Sequence, residues 1–346
     1  MFKIIATNKK EADFVFSCDV AYANALRRII LSEIPNIAVA DDIKISINTT
    51  SMHNDFLSKR ILLVPLCFEP DDETFDQLTF SIDKTCKGPN DHLTTDDIVI
   101  KDEQGQNIAT DVILPRSEIT NDPILLAWMD AGQRVQLEFK ADQGIQLTHA
   151  KYCPVSTCTY FNTLDDVAVK LARSKVPPEE LNKFDTLDQY RLFKKNEYGE
   201  ACSFTFRIES ECRLTPTYLV DKALTVLKAK LLGLEKKIKI DPIDASNRLY
   251  AITVKGEDHT IGNLFQVFIY NNYVRKERIV DFVGYFQPHP LDPDIVFKIR
   301  FLEGKDDIPR FWGEAIRLAA ASMEDVRVEW GKASSKKPSA SKKKLT

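Results

Sequence analysis

No run in the 346-residue sequence approaches the roughly 18–20 consecutive apolar residues that a membrane-spanning helix needs. The opening MFKIIATNKKEADFVF alternates like a strand and lacks the apolar block of a secretory signal. The chain is therefore expected to be made and kept inside a cell. Cysteine is scattered and odd in number, seven in all, which argues against a disulfide framework and for a reducing compartment. Nucleotide-binding loops are missing too: there is no GxxxxGK[ST] and no GxGxxG after a strand. The acidic runs Asp71–Glu73, Asp96–Asp97 and Asp165–Asp166 lie in turn-like contexts and read as solvated surface.

What is present fits an ordinary globular chain of about two domains, with 44% apolar and 28% charged residues. Net charge is −4, but the last fifteen residues hold six Lys and no acid. The body thus carries 41 bases against 51 acids, a balance of −10. A body this acidic is a poor binder of duplex nucleic acid. The Lys-, Ser- and Ala-rich tail 332–346 is expected to be disordered, either solubilising the chain or serving targeting or weak nucleic-acid contact.

Residues 2–6 and 13–18 read as a hairpin, and Asp19 as the cap of a helix running to about Glu33. Ala23, Leu26, Ile30 and Ile34 form its apolar stripe, flanked by Arg27, while Arg28 points away. IKISI (43–47) and RILLVPLCF (60–68) read as strands. Residues 69–145 mix short strand patterns with acidic turns, and 163–200 look helical but strongly charged. ACSFTFRIES is a strand; Thr215 and Pro216 open a helix with Leu219, Ala223, Leu227 and Leu231 on one face and Gly233 as its stop. LYAITVKG is a strand again, and Asp258 or Thr260 caps a helix with Ile261, Leu264, Phe265 and Phe268 on its apolar face. DFVGYF and DIVFKIRF follow as strands around a proline turn. Asp307 and Pro309 open a last helix with Ile316, Ala319, Ala320 and Met323 on one side.

The two Asp-led helix openings match. DVAYANALRRII from Asp19 and DHTIGNLFQVFI from Asp258 share the Asp, a small residue (Ala23, Gly262), then Asn24 and Asn263, and a closing Ile30 and Ile269. Each is followed by further strands and a long closing helix. The chain therefore reads as two related α+β folds, their helix stripes buried against each other.

The motifs have a resemblance. NALRRIILSEIP resembles the first-helix motif of the RNA polymerase alpha family, which spans the bacterial alpha N-terminal domain, the archaeal D protein and the third subunit of eukaryotic polymerase II. SKRILLVPL, HAKYCPVSTCTYF and FRIESECRLTPTYLVDKAL are similar to that family's later segments. DHTIGNLF with VGYFQPHPLDPDIVFKIRF is similar to the smaller partner, the archaeal L or eleventh polymerase II subunit. Both partners in one chain resembles the arrangement in large cytoplasmic DNA viruses of the African swine fever virus group.

The resemblance implies a layout and a role. Residues 1–46 plus 200–233 form the third-subunit-like fold, 47–199 an inserted β-rich domain, 234–248 a linker, and 249–331 the eleventh-subunit-like fold. The halves form an internal pseudo-heterodimer, with Ala23, Leu26, Ile30, Leu219, Ala223, Leu227, Ile261, Leu264, Phe265, Phe268, Ile316 and Met323 at their interface. Arg27, Arg28, Lys59, Arg60, His149 and Lys151 are expected to contact the largest and second-largest polymerase subunits, with small zinc-bearing subunits docking nearby. A fused tether raises the effective concentration of the partner halves to about millimolar.

The family's four-cysteine zinc loop is reduced here to Cys86, with His92 near it; two ligands do not close a tetrahedral site, so no metal is expected. Cys153 and Cys158 are spaced too widely for a ligand knuckle and read as packed or free thiols. His259 reads as a capping-region residue and His289 as a turn residue. The NADFDGD-type carboxylate cluster of the catalytic subunit is absent, so the chain is expected to have no catalytic residues and no cofactor of its own. The expected function is a non-catalytic polymerase assembly platform without sequence-specific DNA binding. It would work in the cytoplasmic viral factory and virion if viral, and in the nucleus if cellular. A stand-alone alpha-like transcription regulator is the competing reading, and a metal enzyme on the inserted domain a third.

Overall fold

The computed structural model describes residues 1–70, 72–88, 91–210, 213–236, 238–244, 246–302 and 307–335. Asp71 and the tail residues 336–346, both singled out above, lie outside them.

The chain begins with strands β1 (Phe2–Thr7) and β2 (Glu11–Phe16), helix α1 (Val20–Ser32), and strands β3 (Asn36–Val39) and β4 (Lys44–Asn48). Helix α2 (Asn54–Leu62) precedes strands β5 (Thr79–Thr85), β6 (Leu93–Thr94), β7 (Ile98–Lys101) and β8 (Asn107–Ile108). A single turn, α3 (Thr110–Ile113), leads to β9 (Leu125–Ala127), β10 (Arg134–Phe139), β11 (Ala141–Gly144) and β12 (Val155–Asn162). Helices α4 (Asp166–Arg173) and α5 (Leu181–Thr186) lead to β13 (Phe204–Ser210) and α6 (Pro216–Gly233). The remainder is β14 (Ile238–Asp244), β15 (Leu249–Lys255), α7 (His259–Ile269), a π-helical turn Tyr270–Lys276, β16 (Val280–Phe286), β17 (Asp294–Phe301) and α8 (Ile308–Ser334).

These elements fall into two compact units. Among the described residues, one gathers Met1–Ile30, Cys158–Ile208 and those from Thr217 to Ser335; the other gathers those of Leu31–Thr157 and Glu209–Pro216. The first unit holds two four-stranded sheets, ordered β1-β2-β13-β12 and β14-β15-β17-β16. Alternation decides which strand faces are buried: Phe14 and Phe16 on β2 and Phe204, Phe206 and Ile208 on β13 are inaccessible, with Phe14 stacked on Phe206 at 5.1 Å. In the other sheet Ile252 pairs with Phe297 and Val254 with Ile295, all four buried.

Helix α1 starts where Asp19 accepts a hydrogen bond from the Ala21 amide at 3.0 Å. Asp258 does the same for α7 through the Thr260 amide at 2.8 Å. Gly262, one turn in, lets α7 lie against β16: a Cβ there would meet the Tyr285 ring at 2.6 Å. The small residue thus serves helix-to-sheet packing. Asp307 caps α8 by accepting from the Arg310 amide at 3.0 Å.

The second unit is built on a five-stranded sheet, β4-β10-β5-β7-β8, with β11 pairing β3 and β6 pairing β9. Its core runs through Leu57, Ile61, Phe80, Ile82, Ile98, Ile100, Val135, Leu137 and Phe139.

Two local expectations change. RILLVPLCF is not a strand: residues up to Leu62 complete α2, because Leu57 and Ile61 lie one helical turn apart and both bury, Pro65 follows the end, and residues 63–68 continue without regular structure. The stretch expected to be linker carries β14, an edge strand paired with β15. Its Pro242 sits beside a register shift, where an edge strand tolerates a missing amide.

Candidate assembly interface

Within the first unit, several contacts join the first-half helices and sheet to the second half. Arg28 on α1 reaches the opening of α7. Its Nη2 lies 2.6 Å from Asp258 Oδ2, and its Nε donates to Thr260 Oγ1 at 2.6 Å. Burial opposes the charge on Asp258, but hydrogen bonds from Thr260 and Arg28 outweigh it and hold the carboxyl below its usual range. Immediately before it, Glu257, whose side chain is only 3% exposed, takes Lys230 of α6 at 3.2 Å. Adjacent acids at one helix start thus meet bases from two different helices.

At the other end, α8 runs along α6 and β1. Lys228 Nζ lies 2.9 Å from Glu324 Oε2, and Arg327 bridges Glu324 at 2.8 Å and Asp221 at 3.4 Å. Hydrogen bonds from Arg327 and Lys228 hold the Glu324 carboxyl at about 2. Trp330, fully buried, packs on Phe2 at 5.1 Å and Phe14 at 4.9 Å. Between α1 and α8, Tyr22 and Ser322 share a hydrogen bond, and burial pushes the Tyr22 phenol up to about 12. On the π-helical turn, Arg275 lies between the rings of Tyr198 at 3.9 Å and Tyr270 at 4.7 Å, with Glu200 at 3.7 Å.

All twelve residues expected at the interface of the halves are buried: Ala23, Leu26, Ile30, Leu219, Ala223, Leu227, Ile261, Leu264, Phe265, Phe268, Ile316 and Met323. Burial does not assign them to one role. Phe265 packs edge-on against Trp312 at 4.9 Å and Phe297 at 5.9 Å, in the second half's own core. The cross-half residues that sequence reading missed include Phe2, Tyr22, Asp221, Lys228, Lys230, Glu257, Glu324, Arg275, Arg327 and Trp330. Trp330 was within reach, since it continues the Ile316 and Met323 stripe by a further seven residues.

The six residues expected to face large subunits are spread across both units. Arg27 donates to Asn24 Oδ1 at 2.8 Å, and Arg28 is engaged by Asp258. In the second unit, Arg60 donates to the Leu126 and Leu125 carbonyls, each at 2.7 Å, fastening α2 to β9. Lys59 is exposed and lines an open groove of about 470 Å³ with Met52, His53, Phe56, Arg60 and Leu63. Phe56, Lys59, Arg60 and Leu63 recur at one helical face, opposite the buried Leu57 and Ile61.

Lys151 departs from the surface position expected of it. Its side chain is 0% exposed, and its ammonium donates to the Val39 carbonyl at 2.6 Å and Asp41 at 2.9 Å, with Asp142 at 3.5 Å. One of these acids, Asp41, lies 110 residues earlier in the chain. His149 Nδ1 accepts from the Lys151 amide at 3.1 Å and caps a short 3₁₀ turn.

None of the cysteines among the described residues forms a disulfide. Cys86 is buried, its thiol 3.2 Å from the Gly88 carbonyl and 3.1 Å from that of Asp91. Burial raises the Cys18 thiol far above its ordinary range, which suppresses its thiolate chemistry. Among the described residues no group of three or more His, Cys, Asp or Glu is placed to hold a metal ion, and no helix is long and apolar enough to cross a membrane.

Comparison with known families matches residues 14–231 to the RNA polymerase Rpb3/Rpb11 dimerisation domain. The chain belongs to that family. A second model of the same description matches residues 250–321. Two dimerisation domains therefore follow one another in this chain. The chain is similar to the DNA-directed RNA polymerases I and III subunit RPAC1 of Saccharomyces cerevisiae, 28% identical over 290 residues, covering 66% of this chain and 84% of that one. It is also similar to the DNA-directed RNA polymerase subunit Rpo3 of Methanocaldococcus jannaschii, 31% identical over 156 residues, covering 44% of this chain and 71% of that one. The DNA-directed RNA polymerase II subunit RPB3 of Schizosaccharomyces pombe is 25% identical over 260 residues, covering 65% and 82%.

Proposed function

We propose that this chain is a non-catalytic assembly subunit of a multisubunit DNA-directed RNA polymerase, and that its two dimerisation domains pair with each other as an internal pseudo-heterodimer. The observation that carries the reading is the pair of family matches in succession, at 14–231 and 250–321, in one chain. The charged and aromatic contacts that link α1, α6 and β1 to α7 and α8 support pairing of the halves. The platform then recruits the second-largest and largest subunits, with small zinc-bearing subunits beside them. The basic, apolar-ended face of α2, with Phe56, Lys59 and Leu63 exposed, is the part of the second unit best suited to that contact. Arg27 is a further candidate, on α1. The chain reads no DNA sequence itself. It works wherever its polymerase works: in cytoplasmic factories and virions if the fusion is that of the large DNA viruses it resembles, and in the nucleus if cellular.

The test is a tagged pull-down from the native source, washed at high salt, which strips contacts made by charge alone. Both largest polymerase subunits retained in equal amounts support the proposal. The chain recovered alone or with a single regulator contradicts it and favours the stand-alone module.

A further inference from the structure

We propose that the adjacent acids Glu257 and Asp258 form an electrostatic key that makes the second half accept the first half and refuse a second copy of itself. The inference rests on the pairing of the halves proposed above and adds what selects the partner.

The matched helix openings supply the comparison. In the gapless overlay, Asp258 lies over Asp19, Glu257 over Cys18, Thr260 over Ala21 and Val267 over Arg28. Apart from the shared Asp, the residues that make these contacts differ between the two halves. In the fold, one guanidinium serves both the Asp258 carboxylate and the Thr260 hydroxyl, each at 2.6 Å. The side chain of Glu257, 3% exposed, has the Lys230 ammonium at 3.2 Å. Both bases belong to the first half, one on α1 and the other on α6.

Consider the pairings that a two-fold relation between the openings would allow. If two second halves met, Asp258 would face Val267 in place of Arg28, twice per interface. Glu257 would lose Lys230 in the same step and be left as a buried carboxylate without its cation. Leaving a buried charge unpaired is among the costliest changes an interface can suffer. If two first halves met, Arg28 would still find Asp19, but Lys230 would face Cys18 and the Thr260 hydroxyl would be replaced by Ala21. The mixed pairing alone satisfies every group of the key. Apolar stripes hold either pairing together, because burial of apolar surface is non-directional. Choice of partner falls to the charges.

The test uses the full chain and the Lys230–Glu257 pair, because reversing Asp258 would also remove the cap of α7. Lys230→Glu and Glu257→Lys are made singly, one of them isotope-labelled, and in combination. Each is unfolded and refolded alone or as a one-to-one mixture. Native mass gives the assembly state. A zero-length carbodiimide cross-link between Lys228 and Glu324, 2.9 Å apart, reports which halves have paired.

Each single variant places like charges together, and its melting midpoint should fall by roughly 3–8 °C. The double variant should recover most of that loss as a monomer. The mixture should form a heterodimer whose Lys228–Glu324 cross-links join labelled to unlabelled chains, because the acid introduced at position 230 of one variant then finds the base introduced at position 257 of the other. The inference is overturned if the mixture stays as two monomers and the double variant's loss is the sum of the single losses. Co-refolding keeps the test decisive where a single variant does not fold alone, since rescue in the mixture is what is read. A parent chain without the Lys228–Glu324 cross-link would overturn the pairing of the halves itself. A parent with the cross-link whose variants show no rescue overturns only the key.

Discussion

The indole N–H of Trp330 donates to the backbone carbonyl of Thr217 at 3.1 Å, tying the end of α8 to the first turn of α6. The ring also lies against Phe2 and Phe14, so one side chain closes an aromatic cluster drawn from both ends of the sequence. Trp330→Ala should destabilise the chain by about 3–5 kcal/mol, through lost burial and the cavity left behind. Chemical denaturation followed by far-UV circular dichroism would register the change as a lower midpoint. A loss below about 1 kcal/mol would mean that the ring is not part of the cooperative core.

Lys151 is a second point of attachment, within the other unit. Burial disfavours its charged form, yet the hydrogen bond to Asp41 and the nearby Asp142 outweigh this, and its pKa lies above the ordinary 10.5. Lys151→Met should cost about 1.5–3 kcal/mol, since Asp41 is exposed and can rehydrate once its partner is gone. A group whose folded pKa is raised stabilises the fold below its unfolded value. The difference between parent and variant should therefore be constant from neutral pH to 10.5 and close above it. Denaturant midpoints measured across alkaline pH check the sign; a difference that grew above pH 10.5 would contradict it.

Glu324 works in the opposite direction. Its carboxyl, held at about 2 by Arg327 and Lys228 against an ordinary value of 4.5, stabilises the fold above 4.5 and loses that contribution as pH falls towards 2. Glu324→Gln should therefore lower the melting midpoint at neutral pH, with the difference vanishing in acid and shrinking in high salt. An equal difference at pH 7 and pH 2 would show that packing, and not charge, is lost.

Two glycines should respond in opposite senses. Gly262→Ala drives a methyl into the Tyr285 ring and to 3.2 Å from Ile295, and it disturbs the contact between His259 and the Tyr285 hydroxyl. A loss of about 1–3 kcal/mol is expected. Gly233, read from sequence as the stop of α6, is not among the positive-φ glycines, has nothing near its missing Cβ, and leads into the 3₁₀ turn Leu234–Lys236. Gly233→Ala should stabilise by roughly 0.4–1 kcal/mol, through the entropy of the unfolded chain. Paired melting curves of the two variants test both signs together.

Local signals carried the sequence reading, and partners far along the chain escaped it. The caps Asp19, Asp258 and Asp307 were legible because a capping side chain bonds amides only two or three residues away. The buried stripes of α1, α6 and α7 were legible because helical spacing is a local pattern. Helix α2 was not, because RILLVPL is apolar at nearly every position and such short runs do not separate strand from helix. Nor could the sequence show that Lys151 is buried, since Asp41 lies 110 residues away. Arg28 and Asp258 stood in the two matching stretches that first suggested a repeat, yet sequence alone did not join them across 230 residues.

The most direct measurement of the central claim is the subunit stoichiometry of the intact polymerase by native mass spectrometry. If this chain supplies both alpha-like halves, each enzyme holds one copy of it and no separate small dimerisation subunit. Two copies per enzyme, or one copy together with a separate eleventh-subunit-like protein, would contradict the account.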